Sequence, residues 1–179
     1  GIHRDVYLVA TPKVRLRDIH LTSRISDRLD KAELRVKADV RNYGKKIQEV
    51  ALRVSLLNPE GEPVSSFTIP AGQITGGQEN ACEGKTTIRD PRLWSAETLY
   101  LYTVNLELLD VTGNVLEATT QQYGFRKIEI RNNKVYINNA LILFKGANRH
   151  DIHPQFGKAV PVESMIEDIL LFKRFNLNT

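Results

Sequence analysis

In the stretch AELRVKADVR, residues 32–41, every second residue is apolar and the residues between are charged. Side chains of a β-strand point alternately to its two faces, so this pattern predicts a strand with one face in a core and one in water. The runs EVALRVSLLN (49–58) and LYLYTVNLELLD (99–110) repeat it. The residues predicted to point inward are Leu34, Val36, Ala38, Val40, Val50, Leu52, Val54, Leu56, Tyr100, Tyr102, Val104, Leu106 and Leu108.

Turn-forming stretches separate the runs: NYGKK (42–46), NPEGEP (58–63), TGGQEN (75–80) and DVTGN (110–114). With further strand-like runs at 15–26 and near 62–69, 80–88 and 114–123, the count reaches about seven. This spacing predicts an all-β fold, an immunoglobulin-like sandwich of about seven antiparallel strands. Cys82 is the single cysteine, so the chain has no internal disulfide.

Composition excludes several classes of protein. Hydrophobic residues make up 41% and charged residues 26%, as in a globular domain. The net charge is +4, but basic residues alternate with acidic ones along the strands, which disfavours nucleic-acid binding. No apolar run reaches the roughly 18 residues that span a membrane, and GIHRDVYLVATP (1–12) lacks a signal-peptide pattern. The chain is expected to be a soluble piece of a longer protein; its compartment, cytoplasm or periplasm, stays open.

The pattern changes after residue 126. KIEIRNNKVYINNALILFKG (127–146) predicts two short strands around RNNK, then a strand at ILF that is buried on both faces, as in a parallel sheet. In PVESMIEDILLFKRF (161–175) helical spacing puts Val162, Met165, Ile166, Ile169 and Phe172 on one face. FNLNT (175–179) reads as the start of another strand. Strand, loop, helix and strand predict the first unit of a (β/α)₈ barrel, truncated after one repeat.

Polar and titratable groups collect in GANRHDIHP (146–154), directly after the apolar strand: Asn148, Arg149, His150, Asp151 and His153. In such barrels the catalytic groups lie at the C-terminal ends of the strands. This stretch is therefore the candidate site.

Five motifs now carry a resemblance: GIHRDVYL (1–8), DPRLWSAETLYLYTV (90–104), YGFRKIEI (123–130), NRHDIHP (148–154) and MIEDILLFKRFNLNT (165–179). In this order they resemble family 2 glycoside hydrolases, large retaining β-glycosidases. With Arg149, the motif NRHDIHP resembles that of the β-galactosidase branch, because the glucuronidase branch usually has lysine at this position. Ile152 departs from the pattern, since galactosidases often carry histidine at that place.

The resemblance implies three parts: residues 1–11, the last strand of a preceding jelly-roll domain; 12–126, the immunoglobulin-like sandwich; and 127–179, the start of the catalytic barrel. It implies hydrolysis of terminal β-D-galactosides by double displacement in the whole enzyme. The two catalytic glutamates would lie on later barrel strands, so the chain alone is expected to be inactive. Expected partners are the β-galactoside substrate, other domains of the same protein and further copies in a homo-oligomer, with no nucleic acid and no membrane.

The resemblance also suggests roles. His153 resembles a transition-state stabiliser that hydrogen-bonds sugar hydroxyls; the alternative is a loop histidine that caps a backbone carbonyl. Arg149 and His150 would orient the site's carboxylates or fix the loop, and Asn148 would bind sugar or end the strand. Asp151 lacks a second carboxylate, so it cannot run a double displacement.

A metal site at His150, Asp151 and His153 is weakly indicated, because all three lie on one loop. No metal or cofactor is assigned to this chain, although Mg²⁺ and Na⁺ are expected near the site of the whole enzyme. Two alternatives to the galactosidase reading stay open: a freestanding immunoglobulin-like interaction module, and a β-glucuronidase of the same family.

Overall fold

Two antiparallel sheets packed face to face form the main body of the computed structural model, which describes residues 4–179. Its strands are β1 (Val14–Ile25), β2 (Lys31–Asn42), β3 (Gln48–Leu57), β4 (Pro63–Ile74), β5 (Glu79–Arg89), β6 (Tyr102–Asp110) and β7 (Val115–Tyr123). One sheet has the order β1-β2-β5 and the other β4-β3-β6-β7. The predicted immunoglobulin-like sandwich is confirmed. In constant-type immunoglobulin domains the fourth strand belongs to the first sheet, whereas here β4 pairs with β3 in the second sheet.

The core is built from the alternating apolar residues of the central strands. Leu34, Val36 and Val40 of β2 are fully buried and face Leu52 of β3 and Leu106 of β6 across the sandwich. Burying each such side chain contributes about 1.5–3 kcal/mol, so this period-two pattern supplies most of the driving force. Tyr100 is the exception among the predicted inward residues, because it precedes β6 and is only partly buried.

At a β-bulge in β1, a side chain of the opposite sheet accepts a hydrogen bond from the backbone. The register of β1 against β2 shifts between Leu16 and Asp18. A bulge leaves ladder groups unpaired, and here the Leu16 backbone N–H donates to the Glu117 carboxylate of β7 at 2.6 Å. Since β1 and β7 belong to different sheets, this bond ties the two layers together at one end.

After the sandwich, three short strands form a second small sheet of order β10-β9-β8. They are β8 (Ile128–Arg131), β9 (Lys134–Ile137) and β10 (Ala140–Leu141). The turn between β8 and β9 is formed by Asn132 and Asn133, with φ of 49° and 59°, the left-handed values that a two-residue type I′ turn requires. The hairpin predicted around RNNK is confirmed.

Polar contacts join this small sheet to the sandwich. The Lys127 ammonium lies 2.8 Å from the Asp27 carboxylate in the β1–β2 connection. Asn138 accepts a hydrogen bond from the Lys127 N–H at 3.0 Å and donates to the Trp94 carbonyl at 2.9 Å. Trp94 is half-buried at the sandwich edge, where the Arg126 guanidinium lies 4.9 Å from its ring. These contacts set where the chain leaves the sandwich toward the candidate site.

The strand predicted at ILF differs from the prediction. Strand structure ends at Leu141, and Leu143 and Phe144 are exposed at 70% and 58%. A strand is buried on both faces only when it has neighbouring strands and covering helices. The described residues supply one short neighbouring segment. Segment 145–147 runs alongside 178–179 in the same direction, with Asn178 N–H bonded to the Lys145 carbonyl (2.7 Å) and Ala147 N–H to the Thr179 carbonyl (3.3 Å). This is the beginning of a parallel pairing.

Helix α1 (Val162–Arg174) connects these two segments. Glu163 in its first turn and Lys173 and Arg174 in its last match the helix dipole. Asp168 lies in the middle of the helix. No helix residue is buried, and the predicted apolar face, with Ile166 and Ile169 about half exposed, contacts no core among residues 4–179.

The N-terminal segment carries a prediction that remains open. Residues 1–3 of the expected jelly-roll strand lie outside the described residues, and 5–12 have no regular secondary structure. A strand of a preceding domain needs partner strands from that domain, so the assignment of 1–11 stays a prediction. Across residues 4–179, no helix has the length and hydropathy to cross a bilayer.

Candidate functional site

The polar stretch lies where the first barrel segment ends. Segment 145–147 pairs in parallel with 178–179, and residues 148–154 follow it directly, at its C-terminal end. Gly146 is required for this approach, because a Cβ there would collide with the Thr179 carbonyl. The Asn178 side chain fixes the same crossing by accepting from the Lys145 N–H at 2.8 Å and donating to the Leu143 carbonyl at 3.0 Å.

Arg149 ties this loop to helix α1. Its Nε donates to the Asp168 carboxylate at 2.6 Å, and another of its nitrogens donates to Asp151. The hydrogen bond to Asp168, followed by the one to Asp151, raises the pKa of the Arg149 guanidinium. A guanidinium that bridges two carboxylates fixes the relative position of loop and helix. The role predicted for Arg149 at the site of the whole enzyme stays a prediction.

Asp168 and Arg4 are members of this network that the sequence analysis did not select. The Asp168 carboxylate approaches the loop from α1, and the Arg4 guanidinium lies 3.6 Å from the Asp151 carboxylate. Asp168 stands inside the apolar run MIEDILLF, three residues after Met165 and four before Phe172. An acidic residue on the apolar stripe of a helix was the sequence signal that could have identified it.

His153 closes a tight turn. Its N–H donates to the Gly157 carbonyl at 2.7 Å, and Gly157 N–H returns a bond of 2.9 Å to the His153 carbonyl. Its Nδ1 accepts from the N–H groups of Gln155 (3.1 Å) and Phe156 (3.3 Å), and the ring stacks on Phe156 with centroids 4.9 Å apart. Because Nδ1 is an acceptor, the proton of the neutral ring lies on Nε2, which can donate to a ligand.

The other predicted residues are not drawn into this cluster. The side chains of Asn148 and His150 are exposed, and the His150 carbonyl accepts the Ile152 N–H at 2.9 Å. Thus the structure brings Arg149 and Asp151 together and leaves Asn148, His150 and His153 outside their network. Among residues 4–179 no group of three histidine, cysteine or carboxylate side chains is arranged to hold a metal ion.

Comparison with known proteins covers both parts of the chain. The sequence model of the family described as "Glycosyl hydrolases family 2" matches residues 14–126. That of "Glycosyl hydrolases family 2, TIM barrel domain" matches residues 128–179.

Curated relatives extend this match over almost the whole chain. The β-galactosidase of Kluyveromyces lactis is 33% identical, over 99% of this chain and 19% of that protein. The β-galactosidase of Priestia megaterium is 34% identical, over 99% of this chain and 17% of that protein. The chain therefore spans less than a fifth of the length of these relatives.

Among solved structures, β-glucuronidase 2 of Bacteroides uniformis, covalently bound to a cyclophellitol-6-carboxylate aziridine, superposes with a TM-score of 0.89. It is 24% identical, and the alignment covers 99% of this chain and 22% of that one, so this likeness concerns the fold alone. Family matches to both parts, with relatives above 30% identity along 99% of the sequence, establish that the chain belongs to the glycosyl hydrolases of family 2.

Proposed function

We propose that this chain is part of a retaining β-galactosidase that hydrolyses terminal non-reducing β-D-galactosides. It would supply the linking sandwich and the first unit of the catalytic barrel. Identity of 33–34% to β-galactosidases over 99% of the chain supports this branch. The whole enzyme's substrate, its oligomeric state and its compartment belong to the proposal.

The observation that carries the proposal is the hydrogen bonding of the His153 ring, which determines the ring nitrogen that bears the proton. Its Nδ1 is held by two backbone N–H groups at the C-terminal end of the first barrel segment. The proton is thereby kept on Nε2, where it is available as a hydrogen-bond donor to a sugar hydroxyl. A donor fixed before the substrate arrives stabilises the transition state more effectively, because no reorganisation accompanies the reaction. The alternative role, capping of a backbone carbonyl, differs from this contact, in which Nδ1 accepts two backbone N–H groups and Nε2 is left to donate.

A retaining mechanism divides the work between this chain and the rest of the enzyme. Two carboxyl groups about 5–5.5 Å apart act as nucleophile and acid/base, and we place both glutamates outside these 179 residues. Within this chain His153 would contact the sugar, while Arg149, tied to Asp168 and Asp151, would hold the loop at the edge of the sugar site. Asn148 and His150, both exposed on the same loop, are further candidates for substrate contact.

The Mg²⁺ and Na⁺ expected for the whole enzyme do not fit the residues of this loop. Asp151 is engaged by the guanidinium groups of Arg149 and Arg4, and the Nδ1 of His153 is used by the backbone. Oxygen ligands for such hard cations would therefore have to come from other residues. No step of the proposed mechanism passes through an ion.

The alternatives have unequal support. The match of residues 128–179 to the barrel domain argues against a freestanding interaction module with an unrelated tail. A β-glucuronidase stays as the second candidate because of the structural likeness to the B. uniformis enzyme, which at 24% identity speaks for the fold and not for the substrate.

The test is hydrolysis of 4-nitrophenyl β-D-galactoside and 4-nitrophenyl β-D-glucuronide by the whole protein, with the 179-residue chain alongside. We expect the whole protein to cleave the galactoside at least about tenfold faster in kcat/KM, and the 179-residue chain to cleave neither. Preference for the glucuronide would move the protein to the other branch. Cleavage of neither substrate by the whole protein would overturn the glycosidase proposal.

A further inference from the structure

One end of the sandwich carries a concentration of positive charge around Tyr43. The Tyr43 N–H donates to the Lys13 carbonyl at 2.7 Å, which brings the β2–β3 turn beside the start of β1. Six basic residues lie on these neighbouring segments: Lys13, Arg15, Arg17, Arg41, Lys45 and Lys46. With Tyr43 they are called the Tyr43 patch below.

The aromatic ring organises the two arginines nearest to it. The guanidinium carbons of Arg15 and Arg41 lie 4.9 and 5.0 Å from the Tyr43 ring centroid, within cation–π range. Arg15 also donates to the Tyr43 hydroxyl at 3.4 Å. This hydrogen bond, together with the surrounding arginine charges, lowers the pKa of the Tyr43 phenol, as expected where the potential is positive.

The six basic residues of the patch outnumber the carboxylates that pair with them, whereas two cations in the middle of the same sheet each have a partner. On the open face of β2 and β5, Lys85 pairs with Glu33 at 2.8 Å and Arg35 with Glu83 at 3.3 Å. In the patch two carboxylates partner the arginines: Glu79 is hydrogen-bonded by Arg17 and lies 4.0 Å from Arg41, and Asp39 lies 3.6 Å from Arg17.

The remaining members of the patch have no such partner. The ion pairs within residues 4–179 include none made by Lys13, Arg15, Lys45 or Lys46. Arg15 instead donates to two neutral hydroxyl groups, those of Thr11 (3.1 Å) and Tyr43.

The patch opens onto a preformed groove of about 420 Å³, lined in part by Lys13, Tyr43, Lys45 and Lys46. Buried Asn42 holds the turn that forms its wall. The Asn42 amide donates to the carbonyls of Lys46 (2.7 Å) and Ile74 (2.9 Å), and its oxygen accepts the Gly44 N–H at 2.8 Å. Because the turn is fixed by the core, binding here would cost little ordering of the backbone.

We propose that the Tyr43 patch binds an acidic polypeptide segment, one that presents several Asp or Glu side chains to the groove. Arginine and lysine with unsatisfied charge favour carboxylates, and guanidinium groups bind them through two parallel hydrogen bonds. Nucleic acid fits less well, because two guanidinium groups already lie against the Tyr43 ring on which a base would stack. Glu79 at the border of the patch would also repel a continuous phosphate backbone.

Binding of a fluorescein-labelled hexaglutamate peptide to the 179-residue chain tests this proposal by fluorescence anisotropy. The test variant is the double substitution Lys45→Gln, Lys46→Gln, in which both residues are exposed turn residues whose side chains make no ion pair among residues 4–179. The matched control is Lys85→Gln, which removes a lysine of the same sheet that is paired with Glu33.

We expect the double variant to weaken peptide binding about tenfold, and the control to leave it within about twofold. Raising the salt concentration from 0.05 to 0.5 M should weaken binding to the unaltered chain, since the attraction is screened. Equal losses in the control variant, absence of peptide binding, or tighter binding of a labelled DNA duplex than of the peptide would each overturn the proposal.

Discussion

The guanidinium of Arg149 and the carboxylate of Asp168 meet at 2.6 Å, joining the loop that follows the first barrel segment to the middle of helix α1. The same guanidinium binds Asp151 two residues along the loop. The loop that holds the candidate site residues is therefore positioned by a side chain of the helix and not by its own backbone alone. Under the proposed function, displacing this loop would slow catalysis, because misplacing a reacting group by about 1 Å costs on the order of 100-fold.

We expect Asp168→Asn in the whole enzyme to lower kcat for the galactoside by roughly 10–100-fold, because the loop loses its charged anchor. Glu167→Gln is the matched control, since Glu167 is the exposed neighbour on the same helix. Steady-state kinetics of the two variants, with circular dichroism to verify folding, provide the comparison. Equal kcat values for both variants would show that the pair does not position the site.

We expect His153→Ala in the whole enzyme to lower kcat about 100-fold, the usual effect of removing one donor to the transition state. His153→Asn separates the two roles of the ring. Asparagine can still accept the N–H groups of the turn, but its shorter side chain does not reach the position of Nε2. Full activity of His153→Asn would mean that capping the turn is the residue's whole contribution. His20→Ala, an exposed histidine on β1, serves as the control.

The fold was predictable from the sequence as far as local periodicity reaches. The burial of Leu34 and Val36 could be predicted because apolar and polar residues must alternate along a strand with one face in the core. This alternation does not depend on which strands it pairs with. The choice of partner strand is not a local property. Leu52 pairs with Ile69 across the β3–β4 hairpin, but the alternation of apolar residues does not show whether β4 joins β3 or the first sheet.

The candidate site was predictable in composition and less so in geometry. NRHD after an apolar run identified the candidate loop, but the Arg149–Asp168 contact joins residues that are 19 positions apart. The use of Nδ1 of His153 by the backbone depends on the shape of the HPQFG turn, which composition does not encode. Burial at Phe144 was wrongly predicted because burial of a strand on both faces is supplied by its neighbours.

Asn138 is expected to hold the small sheet against the sandwich. Its side chain satisfies both the Lys127 N–H and the Trp94 carbonyl, so Asn138→Gly would leave two partly buried polar groups unpaired. Glycine accepts the φ of 50° at this position, so backbone strain is not introduced. We expect a loss of about 1–2 kcal/mol of local stability, measured by amide hydrogen exchange of β8 and β9.

The matched control for that change is Asn133→Gly, the same substitution at another asparagine with positive φ, in the exposed turn of the hairpin. It should change exchange by less than about 0.5 kcal/mol. Equal protection in the two variants would mean that the side chain of Asn138 does not anchor the sheet.

The ion pair between Glu107 and Arg53 stabilises the sandwich at neutral pH, and this contribution should be lost in acid. The Arg53 side chain, whose Nε lies 2.7 Å from the carboxylate, lowers the pKa of Glu107. A carboxyl whose pKa is lowered by folding contributes stability above its unfolded pKa, about 4.3, and loses that contribution as the pH falls through the folded value. Since both side chains are partly exposed, the contribution at pH 7 is under about 1 kcal/mol.

Glu107→Gln should therefore be less stable than the unaltered chain at pH 7, and the difference should shrink toward zero as the pH falls below about 4. Urea unfolding followed by the fluorescence of Trp94, the single tryptophan, measures this difference at pH 7, 5 and 3.5. Glu60→Gln, in the exposed turn between β3 and β4, controls for general charge effects. A difference for Glu107→Gln that stays constant down to pH 3.5 would contradict the assignment, because it would then arise from packing and not from the ion pair with Arg53.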